Sequence, residues 1–286
     1  MKQTLIKNIQ PYAARILSSS AVLTSKRCLF ELKRRVVMQP HIVDVYLRIN
    51  DPYCYLLVQV LADFEQRYSI KIVSKTILRL QEDMYPEAEM WHGNGFNDAV
   101  HLARLYGLTF PSEVPVQDAI QVKQSTEYLL QLEIDSAEQG CDWPKIQSIF
   151  DQYWLQQARP DDHVPLDPAV LDKRLKTNER DLMKQGHYMS AMLHYAGEWY
   201  WGLDRLDHLE ARLNTLGVCQ GEATKRIDFN KTYADFCQSP AALVSHVDKT
   251  LVVFFSIRSP YSHIGLLQAI KLAQHYQITL EIKPVL

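Results

Sequence analysis

Asp51-Pro52-Tyr53-Cys54 returns, with Pro-Tyr in the same places, as Ser259-Pro260-Tyr261-Ser262. Residues 41–78 lie over 249–286 at a constant offset of 208 with no gap. Val45 meets Val253, Ile49 meets Ile257, and Pro52-Tyr53 meets Pro260-Tyr261. Further on, Gln66 meets Gln274, Tyr68 meets Tyr276, Ile70 meets Ile278 and Lys75 meets Lys283. An ungapped match of this length marks one structural unit used twice.

Each copy reads strand, helix, strand. His41 to Ile49 and Thr250 to Ile257 are β-branched, apolar and aromatic runs, the composition of buried strands. Asp51 or Ser259, followed at once by proline, is a helix start. The short polar side chain caps free N–H groups, and proline at the first helical position gives up no needed donor. Residues 54–68 and 262–276 carry helical apolar spacing, and second strands follow at Ile70–Leu78 and Ile278–Val285. Strands joined in this way through a helix are parallel, with a right-handed crossover.

Outward from the first copy, residues 86–158 carry helical periodicity broken at Gly107, Pro111 and Gly140, with a loop at Pro160-Asp161-Asp162. Asp167-Pro168 opens a further helix reaching about residue 185. Tyr188 to Tyr195 reads as a strand, Ala196-Gly197 as a turn, and Glu198 to Trp201 as the returning arm. Gly202-Leu203-Asp204 opens a last helix to Leu216. The expected fold is therefore α/β: a thioredoxin-like unit over 41–216 with a helical insertion over about 86–185. Residues 1–40 form a helical extension. Residues 217–248 form a linker with a helix at Thr232–Gln238, and 249–286 form the β-α-β start of a second, incomplete unit.

The two repeats, with Gly197-Glu198-Trp199-Tyr200-Trp201-Gly202-Leu203-Asp204-Arg205-Leu206, resemble the DsbA-like thioredoxin superfamily. Within it the chain is most similar to the branch of 2-hydroxychromene-2-carboxylate isomerases and kappa-class glutathione transferases. The resemblance implies glutathione as cofactor, a small electrophile or thiol as substrate, and isomerase or transferase chemistry. It places Ser259 at the position that supports the glutathione thiolate, with Pro260 and Tyr261 shaping the turn. It places Ala191 where the superfamily has a cis-proline, and Asp204, beside Arg205, where an acidic residue holds the γ-glutamyl group. Dithiol members carry C-x-x-C where this chain has Asp51-Pro52-Tyr53-Cys54 and Ser259-Pro260-Tyr261-Ser262. A dithiol needs two sulfurs to cycle, so disulfide exchange is not expected as the main reaction. Asp51 repels a thiolate, and Cys54 stands alone in the first turn of its helix. Two other readings stay open: a non-catalytic thioredoxin-like binding or scaffold module, and residual thiol chemistry through Cys54. For Ser259, Asp51 and Asp204 the plain alternative is helix capping.

Composition narrows the classes. A net charge of −2 gives no global case for nucleic acid. Five cysteines without a C-x-x-C or paired Cys/His spacing argue against a disulfide framework and a structural zinc site. His187, His194, His208 and His263 have no partners at ligand spacing, so no metal is expected. With no membrane-spanning run and no secretory leader pattern, the expectation is a cytoplasmic protein that does not engage a membrane. Lys26, Arg27, Lys33, Arg34 and Arg35 form a basic cluster, read as a solvated helix face.

Overall fold

The computed structural model describes residues 12, 15–16, 19–80, 88–116, 118–136, 140–157, 167–221, 225–231 and 249–285. The chain divides into two compact units, 1–231 and 232–286. The loop at Pro160-Asp161-Asp162 and the helix at Thr232–Gln238 fall outside the described residues.

In the first unit, helix α1 (Ser20–Val36) precedes strand β1 (Ile42–Leu47), helix α2 (Pro52–Arg67) and strand β2 (Lys71–Thr76). Four helices follow: α3 (Ala88–Tyr106), α4 (Ala119–Asp135), α5 (Trp143–Trp154) and α6 (Pro168–Lys184). The chain then returns as β3 (Met192–Tyr195) and β4 (Glu198–Trp201). It ends with a short 3-10 turn (Leu203–Arg205) and α7 (Leu206–Leu216). The sheet order is β2-β1-β3-β4. β1 and β2 are parallel, while β3 is antiparallel to both β1 and β4. This mixed α/β sheet, with a helical block between its parallel pair and its hairpin, is the thioredoxin-like arrangement expected for the first copy.

β1 is central and covered on both faces, which is why it reads as an apolar run rather than an alternation. Val43, Val45 and Leu47 face the main core with Leu57, Leu61 and Phe64 of α2. Tyr46 faces the other way, onto Ile77, Leu182 and Met192. The inserted helices join the main core through aromatic contact. Tyr55 stacks on Trp154 with ring centroids 5.7 Å apart, its hydroxyl donates to Asp151 at 2.8 Å, and Trp154 Nε1 donates to Ile49 O at 2.9 Å. Those contacts fix the turn between β1 and α2.

β2 lies at the sheet edge, and side chains meet its outward amides. Ile72 N donates to Glu65 Oε1 at 2.6 Å, Ser74 N to Cys141 Sγ at 3.3 Å, and Thr76 N to Glu133 Oε2 at 2.8 Å. Glu133 is buried with Asn178 Nδ2 at 2.9 Å and Arg174 Nε at 3.2 Å.

One element differs from the expectation. Residues 188–191 are loop, and the strand begins only at Met192. Ala191 has φ +56°, a left-handed conformation that breaks the extended run and costs an alanine about 1–2 kcal/mol. Ala191 O accepts from Gly202 N at 2.8 Å, which joins the two ends of the hairpin. Gly202 has φ +51° and ψ −147°, a region open in practice only to glycine.

The second unit contains β5 (Thr250–Phe255), α8 (Pro260–Tyr276) and β6 (Thr279–Pro284), with the two strands parallel. Its backbone order repeats that of β1-α2-β2. Its surroundings do not: Tyr46 is fully buried, whereas Phe254 at the matching position is 67% exposed. Ala273 is the one buried residue among the described residues of this unit.

Candidate functional site

The residue types at the start of α2 set its electrostatics. Asp51 Oδ1 accepts from Tyr53 N at 2.9 Å, the capping bond, with Pro52 at the first helical position. Its second oxygen accepts from the hydroxyl of Ser190, on the loop before β3. One carboxylate therefore ties the helix start to the hairpin loop. Tyr53 donates to Asp98 Oδ2 of α3 at 2.9 Å and packs on Trp201 at 4.9 Å between centroids. Burial, then the charge of Asp98, pushes its phenol far up, so Tyr53 stays protonated.

Around this start lies a cleft lined by Arg48, Asn50, Asp51, Trp91, His92 and Trp201, among others. Three of its polar atoms are buried without a hydrogen-bond partner among the described residues: Arg48 Nε, Asn50 Oδ1 and Trp201 Nε1. Asn50 is only 7% exposed as a residue. An unpaired buried polar group costs about 1–3 kcal/mol, and three in one place mark a site that a polar ligand or ordered water completes. Burial and the nearby Arg48 charge lower the His92 pKa, so its ring is neutral at pH 7.

The residues singled out by sequence fall in different places. Asp51 and Ala191 meet at the cleft, Ala191 through its neighbour Ser190. Among the described residues no peptide bond is cis, and the φ of Ala191 is one that proline cannot adopt. Cys54 lies beneath, fully buried. Arg48 N donates to its sulfur at 3.3 Å, and its thiol points toward Tyr46 O at 3.9 Å. Burial, then the charge of Asp51, pushes the thiol well above its ordinary pKa. Neither thiolate character nor access favours the reading of thiol chemistry through Cys54.

Asp204 is an exposed residue on the 3-10 turn. Atoms packed about its carboxyl, followed by the charge of Asp98, raise its pKa. Arg205 is exposed and donates to the carbonyl of Asp204 at 3.0 Å, which leaves it out of the cleft. His187 accepts from Met189 N at 3.2 Å and packs on Trp199, as does His194. Among the described residues no three His, Cys, Asp or Glu side chains gather as a metal site.

Ser259, Pro260 and Tyr261 belong to the second unit. Ser259 Oγ accepts from Ser262 N at 3.4 Å, so it caps α8, and its own hydrogen meets no acceptor among the described residues. Tyr261 is exposed, and His263 lies edge-on to Phe255.

Arg48, Asn50 and Trp201 were not among the sequence candidates. Their side chains become notable only as unpaired groups in a folded cleft, and no spacing rule announces that. Position alone offered a hint, since Arg48 and Asn50 lie in the strand-to-helix turn.

No family model matches the chain, and no curated protein matches it. Among solved structures, the selenomethionine form of 2-hydroxychromene-2-carboxylate isomerase (HCCA isomerase) is similar at 19% identity and a TM-score of 0.42. The match covers 62% of this chain and 96% of that one. Among the described residues no helix is long and apolar enough to cross a membrane.

Proposed function

We propose that this chain is a glutathione-binding protein of the DsbA-like isomerase and transferase type, working without thiol redox chemistry of its own. The observation that carries the reading is the cleft at the start of α2, where Arg48 Nε, Asn50 Oδ1 and Trp201 Nε1 are buried without partners. Two N–H donors, one of them cationic, suit a ligand carboxylate, and the amide oxygen suits an amine or amide N–H. A γ-glutamyl peptide presents all of these groups. The first unit suits the peptide's polar body better than its sulfur, because Asp51 already occupies the helix N-terminus with negative charge.

A second reading adds catalysis at residues 249–285, taken as the start of a second DsbA-like unit. It is favoured by Ser259, whose hydroxyl stands at the N-terminus of α8, its hydrogen without an acceptor among the described residues. Bound glutathione would supply a nucleophilic sulfur. Ser259 would hold that sulfur as its anion, donating a hydrogen bond where the helix dipole also favours negative charge.

Isothermal calorimetry with glutathione separates these readings. Binding at millimolar ligand or tighter, weakened about tenfold or more by Arg48→Met, is the expected result. Ser259→Ala leaves that binding intact if the first unit acts alone, and weakens it if the ligand sits at α8. Absence of binding in the unmodified chain overturns the proposal.

A further inference from the structure

Helix α1 carries a surface that the cleft does not use. α1 is docked on the hairpin by one of its faces. Arg27 Nε donates to Glu198 at 2.8 Å, Tyr195 OH donates to Glu31 at 3.1 Å, and Phe30 packs edge-on against Tyr195. His41 Nδ1 lies 2.6 Å from the Tyr195 hydroxyl, and Arg34 pairs with Glu31 at 3.1 Å. The single acidic residue of the helix is thus buried and committed, and two of its five basic residues, Arg27 and Arg34, are half-buried and committed with it.

On the opposite face Leu29, Leu32 and Val36 recur at i, i+3 and i+7, a single ridge along the helix. They are 68%, 61% and 73% exposed, and Met38 beyond the helix end is 89% exposed. At 100° per residue, Lys26 and Lys33 fall on one flank of this ridge and Arg35 on the other. All three are exposed, and among the described residues they make no ion pair. Lysine and arginine in the last turn suit the helix dipole, but that accounts neither for Lys26 nor for the bare leucines. The charge is also concentrated along the chain. Residues 1–43 contain eight Lys and Arg and one acid, Glu31, in a protein of net charge −2.

We infer that this face of α1 docks the protein on an anionic phospholipid surface. An apolar ridge with cationic borders on both sides and no free acid matches the boundary of such a bilayer, where acyl chains meet negative headgroups. The helix lies in the plane of the interface, Leu29, Leu32 and Val36 inward and the basic side chains at headgroup level. Charge complementarity selects this occupant over a second copy of the chain, because two such faces would oppose like charges.

The test is co-sedimentation of the whole chain with phosphatidylcholine vesicles, with and without phosphatidylserine. The expected result is binding to the phosphatidylserine vesicles alone, lost at high salt. Leu29→Glu with Leu32→Glu weakens it about tenfold or more, as does replacing Lys26, Lys33 and Arg35 with serine. These positions are exposed, and unchanged urea midpoints confirm that the variants fold. Three outcomes overturn the inference: no binding to phosphatidylserine vesicles, binding that survives both sets of substitutions, or self-association without vesicles that Leu29→Glu abolishes. The last would assign the ridge to a second copy.

Discussion

Asp51 makes two bonds that no uncharged short side chain reproduces together: the cap to Tyr53 N and the acceptance from Ser190 across the cleft. Asp51→Ala removes the cap and strands a buried hydroxyl, so stability is expected to fall by about 2–4 kcal/mol in urea unfolding. Asp51→Ser keeps the cap and costs less. If both variants lose the same amount, the cap carries no weight and the loss belongs to the bond from Ser190. The cysteines give a second prediction at this scale. Thiol labelling followed by peptide mapping is expected to modify exposed Cys28 early and fully buried Cys54 only in denaturant. Labelling of native Cys54 at a rate like that of Cys28 would restore the thiol reading.

Among the elements, helix starts were the most legible in sequence. Asp51-Pro52, Asp167-Pro168 and Ser259-Pro260 each proved to be a capping residue followed by proline, because that signal is local. The stretch before β3 was not legible. Tyr188 to Ala191 has strand composition, yet Ser190 is held by a residue 139 positions away and Ala191 turns left-handed beside it. Pattern along a chain cannot register that kind of constraint. The same applies to the cleft, where Asp51 was visible as a cap while Arg48, Asn50 and Trp201 required the folded neighbourhood. Glu133 tests how the inserted helices attach to the sheet. Glu133→Ala removes acceptors from buried Asn178 and Thr76 N and releases partly exposed Arg174 to water, with an expected cost of about 2–4 kcal/mol. Calorimetric melting should show a loss of that size. A loss under about 1 kcal/mol would mean that α4 and α6 hold without it.

At the scale of the molecule, burial lowers the pKa of four histidines among the described residues, His41, His92, His187 and His194. Each stays neutral in the fold to a lower pH than in the unfolded chain. The stability they support is complete above the ordinary histidine value, about 6.5, and is lost as pH falls through the lowered values. Urea midpoints are therefore expected to drop between pH 7.5 and about 6, and the drop should be smaller in His41→Gln. Burial raises the carboxyls of Glu133 and Glu210, which oppose the trend at lower pH. A midpoint that does not change between those two pH values would contradict the assignment.

The plugged border of β2 has a consequence for how the sheet can end. Its outward amides at 72, 74 and 76 donate to Glu65, Cys141 and Glu133 rather than facing water. An exposed strand margin is normally a template on which another chain can polymerise. Here every outward donor is already spent on the protein's own side chains, so growth of the sheet into a fibril has no foothold on that side. Deuterium uptake should report it: the amides of Ile72, Ser74 and Thr76 should exchange as slowly as those inside the sheet. Cys141→Ala should free Ser74 first.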